Sequence, residues 1–240
     1  MDVYVYMMRV DDALTDQEEN ELLHRLSQTR QEKIKKLRYQ ADKRLSLGAG
    51  LLLDYGLRFF GIREQQETFG TIGNGKPCLL HHPQIQFNLS HSGNMAMAAF
   101  SCLSDQEYAA GKDADLGQIG CDVERKQKAR MDVAKRFFAP AEQRVLLSAE
   151  TEAERDLLFS RLWTLKESYI KADGRGMALP LDSFVVELGG QPRLLGKAGA
   201  QYRFQEFALT DYCASVCVRQ QDAAKRATFF FSFQNLQDMV

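Results

Sequence analysis

Three short segments carry side chains whose types and spacing can do chemistry. In Ile119-Gly120-Cys121-Asp122-Val123-Glu124-Arg125 the acids stand two apart. Alternate side chains on a strand share a face, so Asp122 and Glu124 point one way while Cys121 and Val123 point the other. Two carboxylates on one face attract a hard cation, and Mg²⁺, which shares its shell with waters and phosphates, suits such a pair. A solvent-facing pair at a strand end has the same pattern. In Trp163-Thr164-Leu165-Lys166-Glu167-Ser168-Tyr169-Ile170-Lys171, Glu167 and Lys171 stand four apart and share one face of a helix. That spacing equally describes an exposed ion pair of little energetic weight. In Phe87-Asn88-Leu89-Ser90-His91-Ser92-Gly93, hydroxyls, an imidazole and backbone N–H groups meet at a strand-to-strand turn, where they can bond phosphate oxygens. A Ser-His nucleophile is disfavoured, because adjacent strand residues point apart and no Gly-x-Ser-x-Gly elbow is present. The absence of Gly-x-x-x-x-Gly-Lys-Ser/Thr and Gly-x-Gly-x-x-Gly removes the commonest nucleotide-binding loops.

The elements that must position these groups follow from periodicity. Val3 to Val10 reads as a strand, and Thr15-Asp16-Gln17-Glu18 as a capping box opening a helix with Leu22, Leu23, Leu26, Ile34 and Leu37 at helical spacing. A second amphipathic stretch runs from Asp42 to Phe60, Gly70 to Pro77 is turn-rich, and Ile85 to Leu89 and Met95 to Phe100 read as a hairpin-like pair. Beyond the polar stretch from Ser104 to Gln118 the plan recurs: strand Ile119 to Val123, then a helix from Thr151 to Ala172 closed by a glycine signal, Asp173-Gly174-Arg175-Gly176. Strands Ser183 to Leu188, Tyr202 to Leu209 and Tyr212 to Val218 follow, with Gly189 to Ala200 as a surface loop. The expected fold is α+β (α/β), two similar lobes divided near Gly117 into residues 1–117 and 118–240. Strands cluster after helices instead of alternating with them, which disfavours barrels and doubly wound sheets.

At 240 residues, 45% hydrophobic and 26% charged, the chain has globular composition, and the longest apolar runs fall far short of the roughly 20 residues that span a bilayer. The N-terminus lacks the pattern of a secretory signal, and five cysteines without framework spacing fit a reducing compartment, so a cytoplasmic protein is expected. Cys78, His81 and His82 have no second pair at zinc-ligand spacing. The net charge of -1 hides a segment, Arg25 to Arg44, with eight basic residues against two acidic ones. It is either a solvated helix face or a site for a phosphate or an acidic partner; no motif for nucleic acid accompanies it.

Taken in order, Gly75-Lys76-Pro77, Phe87 to Ser92, Ile119 to Glu124, Arg136-Phe137-Phe138, Trp163 to Lys171 and Leu179-Pro180-Leu181 make the sequence resemble the 4′-phosphopantetheinyl transferases, of the larger type that activates peptide and polyketide synthases. The resemblance implies a pseudo-dimer of two α/β lobes with the active site between them. It implies holo-[acyl-carrier-protein] synthase chemistry: transfer of the phosphopantetheine arm of coenzyme A to a carrier-protein serine, with adenosine 3′,5′-bisphosphate as by-product. It further implies Asp122, Glu124 and Glu167 as ligands of Mg²⁺, or of Mn²⁺ in its place. Glu167, directly or through a water molecule, would be the base, and Lys171 would neutralise phosphate charge. Gly75, Lys76 and Pro77 would flank the adenine, Ser90, His91 and Ser92 would meet phosphate oxygens, and Arg44, with Arg30 and Lys33 as additions, would bind the 3′-phosphate. Lys135, Arg136 and residues near Arg144 are the expected contacts of an acyl or peptidyl carrier protein. The expected assembly is a monomer, with neither nucleic acid nor membrane as partner. A non-catalytic binder of coenzyme A or of a carrier, and a phosphodiesterase that removes the arm, are the rival functions.

Overall fold

The computed structural model describes residues 1–10, 14–103, 108, 118–220, 227–236 and 239. The boundary expected near Gly117 lies outside the described residues. The chain opens on strand β1 (Asp2–Arg9), followed by helices α1 (Asp16–Leu23), α2 (Gln28–Lys35) and α3 (Gln40–Phe59). The capping box at Thr15 forms as read, with Thr15 N donating to Glu18 Oε2 at 2.7 Å and Glu18 N to Thr15 Oγ1 at 3.3 Å. The apolar run expected to be one helix is instead two, α1 and α2, because the chain turns between His24 and Ser27. Strands β2 (Phe69–Ile72) and β3 (Lys76–Leu79) pair as a small antiparallel hairpin where only turns were expected. Strand β4 (Ile85–Ser92) extends through the supposed Ser90-His91-Ser92 turn, and the reversal into β5 (Met95–Cys102) falls at Gly93-Asn94.

The second half repeats the plan. Strand β6 (Ile119–Arg125) leads into α4 (Met131–Phe137), α5 (Pro140–Leu147) and the long α6 (Glu152–Asp173). Thr151 caps α6, its Oγ1 accepting from Glu154 N at 3.1 Å, and Gly174 closes it in the left-handed region at φ 82°. Of the strand expected from Ser183 to Leu188 only β7 (Val186–Glu187) forms, paired with β8 (Arg193–Leu194) inside the segment expected to be a loop. Strands β9 (Tyr202–Ala208), β10 (Tyr212–Arg219) and β11 (Thr228–Asn235) complete the chain.

The sheet orders are β11-β1-β5-β4 and β6-β10-β9. Leaving β11 aside, each half sets its opening strand antiparallel beside the later strand of a hairpin, and each covers that sheet with its long helix, α3 in the first half and α6 in the second. This is the mixed helix-and-strand, two-part architecture the sequence implied. β11 departs from it: this strand of the second half crosses back and pairs in parallel with β1, Asp2 opposite Thr228 through Arg9 opposite Asn235. Between the sheets, Val3, Val5, Met7, Met95 and Met97 pack against Ile119, Cys121, Val123, Val216 and Val218 in one buried cluster, which fixes the halves against each other. Among the described residues no helix is long and apolar enough to cross a membrane.

Candidate active site

Strand β6 presents one edge to β10 and the other to β4, and that second edge is sealed by side chains. Asn88, Ser90 and Ser92, alternate residues of β4, accept from the backbone N–H groups of Cys121 at 2.9 Å, Val123 at 3.4 Å and Arg125 at 3.2 Å. The two serine hydroxyls in turn donate to the acids of β6: Ser90 Oγ to Asp122 Oδ1 at 2.9 Å and Ser92 Oγ to Glu124 Oε2 at 2.7 Å. Cys121 and Val123 are fully buried between the sheets, so alternation leaves Asp122 and Glu124 on the opposite face.

Helix α6 approaches that face closely because Gly120 has no side chain. A Cβ built there would stand 2.1 Å from Ser168 O and 2.4 Å from Ala172 N, so helix backbone rests directly on the strand. Lys171 is thereby delivered to Asp122: its Nζ donates to Asp122 Oδ1 at 2.7 Å, to Cys121 O at 3.1 Å and to Ser90 Oγ at 3.2 Å. Trp163, Glu167 and Lys171, spaced by four on α6, line one cavity of about 1200 Å³ together with Asp122 and Glu124. The other walls come from Arg30 and Lys33 of α2, Ser46 and Ala49 of α3, Phe69 and Pro77 of the small hairpin, and Phe87, Leu89 and His91 of β4. Arg30 and Lys33 thus share a partly aromatic cavity with the acids.

Burial pushes the Glu124 carboxyl above the usual carboxylate range; the Ser92 hydrogen bond and Lys171 oppose this shift, and the charge of Asp122 adds to it. Glu167 is raised for the same first reason, with Lys171 opposing and Asp122 and Glu124 adding. Burial alone would lower Lys171, yet Asp122, by charge and hydrogen bond, together with Cys121 and Glu167 opposes it, and the net shift is upward. Among the described residues Asp122 Oδ2 is the one buried side-chain oxygen or nitrogen without a hydrogen-bond partner. No three His, Cys, Asp or Glu side chains among the described residues already close into a metal cage. The donor set nevertheless suits a hard divalent cation: acidic oxygens only, two of them destabilised as anions and one left unpaired.

Several expected residues stand elsewhere than the sequence suggested. Gly75 and Pro77 line the cavity, but strand alternation turns Lys76 away, and its buried ammonium donates to Ile119 O at 2.8 Å. Ser90 lines the cavity with its hydroxyl already engaged by Asp122, whereas Ser92 is bound to Glu124 and is not part of the lining. Arg44 faces the other side of α3, pairs with Glu19 of α1 and lines a separate cleft of about 290 Å³. Ser46 and Ala49 are the α3 residues on the main cavity, and Arg30 and Lys33 are its cations from the basic segment.

The sequence assigned no role to Lys166, which is wholly buried away from the cavity that Glu167 lines. Its Nζ donates to Glu142 Oε1 at 2.6 Å, Glu142 Oε2 at 2.7 Å and Phe184 O at 2.9 Å, while Glu142 also accepts from Ala139 N and Val186 N, each at 2.8 Å. Burial lowers the Lys166 ammonium, with Glu142 opposing the shift. This pair ties α5 and β7 to the helix that carries Glu167 and Lys171. The Glu at the third position of α5, three residues after Ala139, was the one signal that could have revealed it.

Comparison with known families matches residues 118–217 to the 4′-phosphopantetheinyl transferase superfamily and residues 14–103 to the family described as 4′-phosphopantetheinyl transferase, N-terminal. The chain is similar to the 4′-phosphopantetheinyl transferase Sfp of Bacillus subtilis strain 168, 32% identical over 185 residues that cover 77% of this chain and 76% of that protein. It is likewise similar to the 4′-phosphopantetheinyl transferase psf-1 of Bacillus pumilus, 31% identical over 195 residues, 79% of this chain and 77% of the relative. Among solved structures, the holo-[acyl-carrier-protein] synthase of Thermotoga maritima aligns over 44% of this chain and 63% of its own, with 21% identity and a TM-score of 0.37.

Proposed function

The chain belongs to the 4′-phosphopantetheinyl transferase superfamily, and from that premise we propose how its own residues move the phosphopantetheine arm of coenzyme A onto a carrier-protein serine. The observation that carries the proposal is the convergence of Asp122, Glu124, Glu167 and Lys171 with Arg30 and Lys33 on one cavity between the halves. In the reaction the serine oxygen forms a bond to the phosphorus that bears the pantetheine, the pyrophosphate bond breaks, and adenosine 3′,5′-bisphosphate leaves with the bonding pair. The serine proton passes to Glu167, directly or through a water molecule. Burial holds its carboxyl above the usual carboxylate range. Lys171, charged and held on Asp122, sets positive charge beside the oxygens that become more negative as the bond breaks.

Asp122, Glu124 and Glu167 are the residues that would hold Mg²⁺, or Mn²⁺ in its place. Such a cation, when bound, would supply neutralisation of the pyrophosphate charge. Arg30 and Lys33, rather than Arg44, would take the 3′-phosphate, with Gly75 and Pro77 beside the adenine and His91 near the phosphates. Lys135, Arg136 and Arg144 are exposed on α4 and α5, as is the apolar Leu147 of α5, features suited to an acidic carrier helix with an apolar face. One chain completes the cavity, so we read the enzyme as a monomer. We further read it as cytoplasmic, as a holo-[acyl-carrier-protein] synthase, and as lobes 1–117 and 118–240 with β11 returning to the first.

Intact-protein mass spectrometry of an apo carrier protein incubated with the enzyme, coenzyme A and Mg²⁺ tests the proposal. A gain of one phosphopantetheine is expected, lost with EDTA and lost in Asp122→Ala. Transfer that survives both would remove these carboxylates from the chemistry.

A further inference from the structure

The reaction just described leaves one buried acid on the cavity's flank without a role. Glu64 is fully buried, and its carboxylate accepts Ser27 N at 2.5 Å, Ser27 Oγ at 2.8 Å and Arg30 Nε at 2.8 Å. Its own backbone is pinned from behind, Glu64 N donating to Asp54 Oδ1 at 3.2 Å, and Asp54 is held by Arg58 at 2.7 Å. The Ser27 hydroxyl stands at the head of α2 yet makes no cap to that helix, because it serves Glu64 instead.

Arg30 is fixed from two further sides. Its guanidinium lies 5.9 Å from the centroid of the Phe69 ring, and its stem crosses α3 at Gly50, where an added Cβ would stand 2.7 Å from Arg30 Cδ. The bond to Glu64 uses Nε, and among the described residues neither terminal nitrogen of Arg30 has a protein hydrogen-bond partner, although the side chain lines the cavity. A guanidinium clamped by its inner nitrogen, with its outer two donors left over, is pre-organised for the paired oxygens of a phosphate.

We propose that Glu64 is a positioning residue that aims Arg30 at the terminal phosphate monoester of the donor, so that Glu64 makes the site selective for a donor carrying that 3′-phosphate. The inference rests on the reading of the cavity as a coenzyme A site. Lys171 and the three carboxylates come from β6 and α6, whereas Arg30 comes from α2, so separate elements would serve different phosphates of one donor.

The test is Glu64→Gln, which keeps size and removes charge, assayed with coenzyme A and with 3′-dephospho-coenzyme A, by turnover and by titration calorimetry. Expected for coenzyme A is a KM or Kd raised about tenfold or more, as loss of a charged hydrogen-bond network commonly produces, with kcat within about twofold. With the dephospho donor the variant and the parent should bind alike. In an Arg30→Ala background Glu64→Gln should add no further loss. Equal loss with both donors, or additivity with Arg30→Ala, would overturn the proposal. If Glu64→Gln does not fold, Gly50→Ala disturbs the same arm from the far side and must show the same donor dependence; an equal loss with both donors would refute it. A parent that binds coenzyme A without transferring the arm would sink the transferase reading, while a donor-dependent binding loss in the variant would still uphold Glu64's role.

Discussion

Replacement of Gly120 by alanine perturbs the site through geometry alone, since it changes no charge and no ligand. The new methyl carbon would lie 2.1 Å from Ser168 O, 2.4 Å from Ala172 N and 2.8 Å from the carbonyl carbon of Lys171. All three are helix backbone atoms, so no side chain can rotate away. Relief requires α6 to retreat from β6 by about 1 Å, the difference between 2.1 Å and the 3.0 Å that real Cβ contacts respect. Overpacking of this kind costs about 1–3 kcal/mol, and each kcal/mol lowers Tm by about 2–4 °C in a chain of this size. The retreat also lengthens the 2.7 Å contact of Lys171 with Asp122 and withdraws Glu167 from the acids of β6. A misplacement of about 1 Å can reduce turnover by about 10²-fold, so kcat should fall by that order while coenzyme A binding falls less. Thermal unfolding and transfer kinetics, with Gly190→Ala as control because nothing lies within 4 Å of its Cβ position, measure both effects. Gly120→Ala with parental Tm and kcat would refute the claim that this glycine sets the distance between helix and strand.

Lys171→Ala should lower kcat by about 10²–10³ if its charge stabilises the leaving phosphate, and steady-state transfer at saturating coenzyme A checks this. Lys166→Met leaves Glu142 buried without its cation and should cost about 3–5 kcal/mol in urea unfolding. Adding Glu142→Leu should recover part of that loss only, because Ala139 N and Val186 N lose their acceptor. Burial, with smaller contributions from Tyr55 and Tyr4, pushes the Tyr6 phenol from 10.0 up to about 12. A phenol raised on folding binds its proton more tightly in the folded state, so its contribution is complete below pH 10 and is lost as pH rises toward 12. Unfolding free energies of Tyr6→Phe and the parent should therefore differ by a constant below pH 10 and shift in the variant's favour above it; parallel curves throughout would contradict the assignment.

Local signals in the sequence were sufficient for whatever depends on neighbours within a few residues. The Thr15 capping box, the glycine end of α6, the common face of Asp122 and Glu124 and the four-residue spacing of Glu167 and Lys171 all follow from local helix and strand patterns. Tertiary structure decided which face of each element meets the cavity. Arg44 and Ser46 sit on the same helix, yet packing against α1 claims one and the cavity the other. Lys76 differs from Gly75 and Pro77 only by strand alternation, and its partner is a carbonyl 43 residues away. Ser90 and Ser92 bear hydroxyls fit for phosphate, but β4 lies against the open edge of β6, whose amides and acids take them first. Glu64 and Glu142 have no role in the sequence analysis; long-range packing buries them against Arg30 and Lys166. Such contacts join residues far apart in the chain, and their energies arise only when folding removes water from both partners at once, a condition no local pattern encodes.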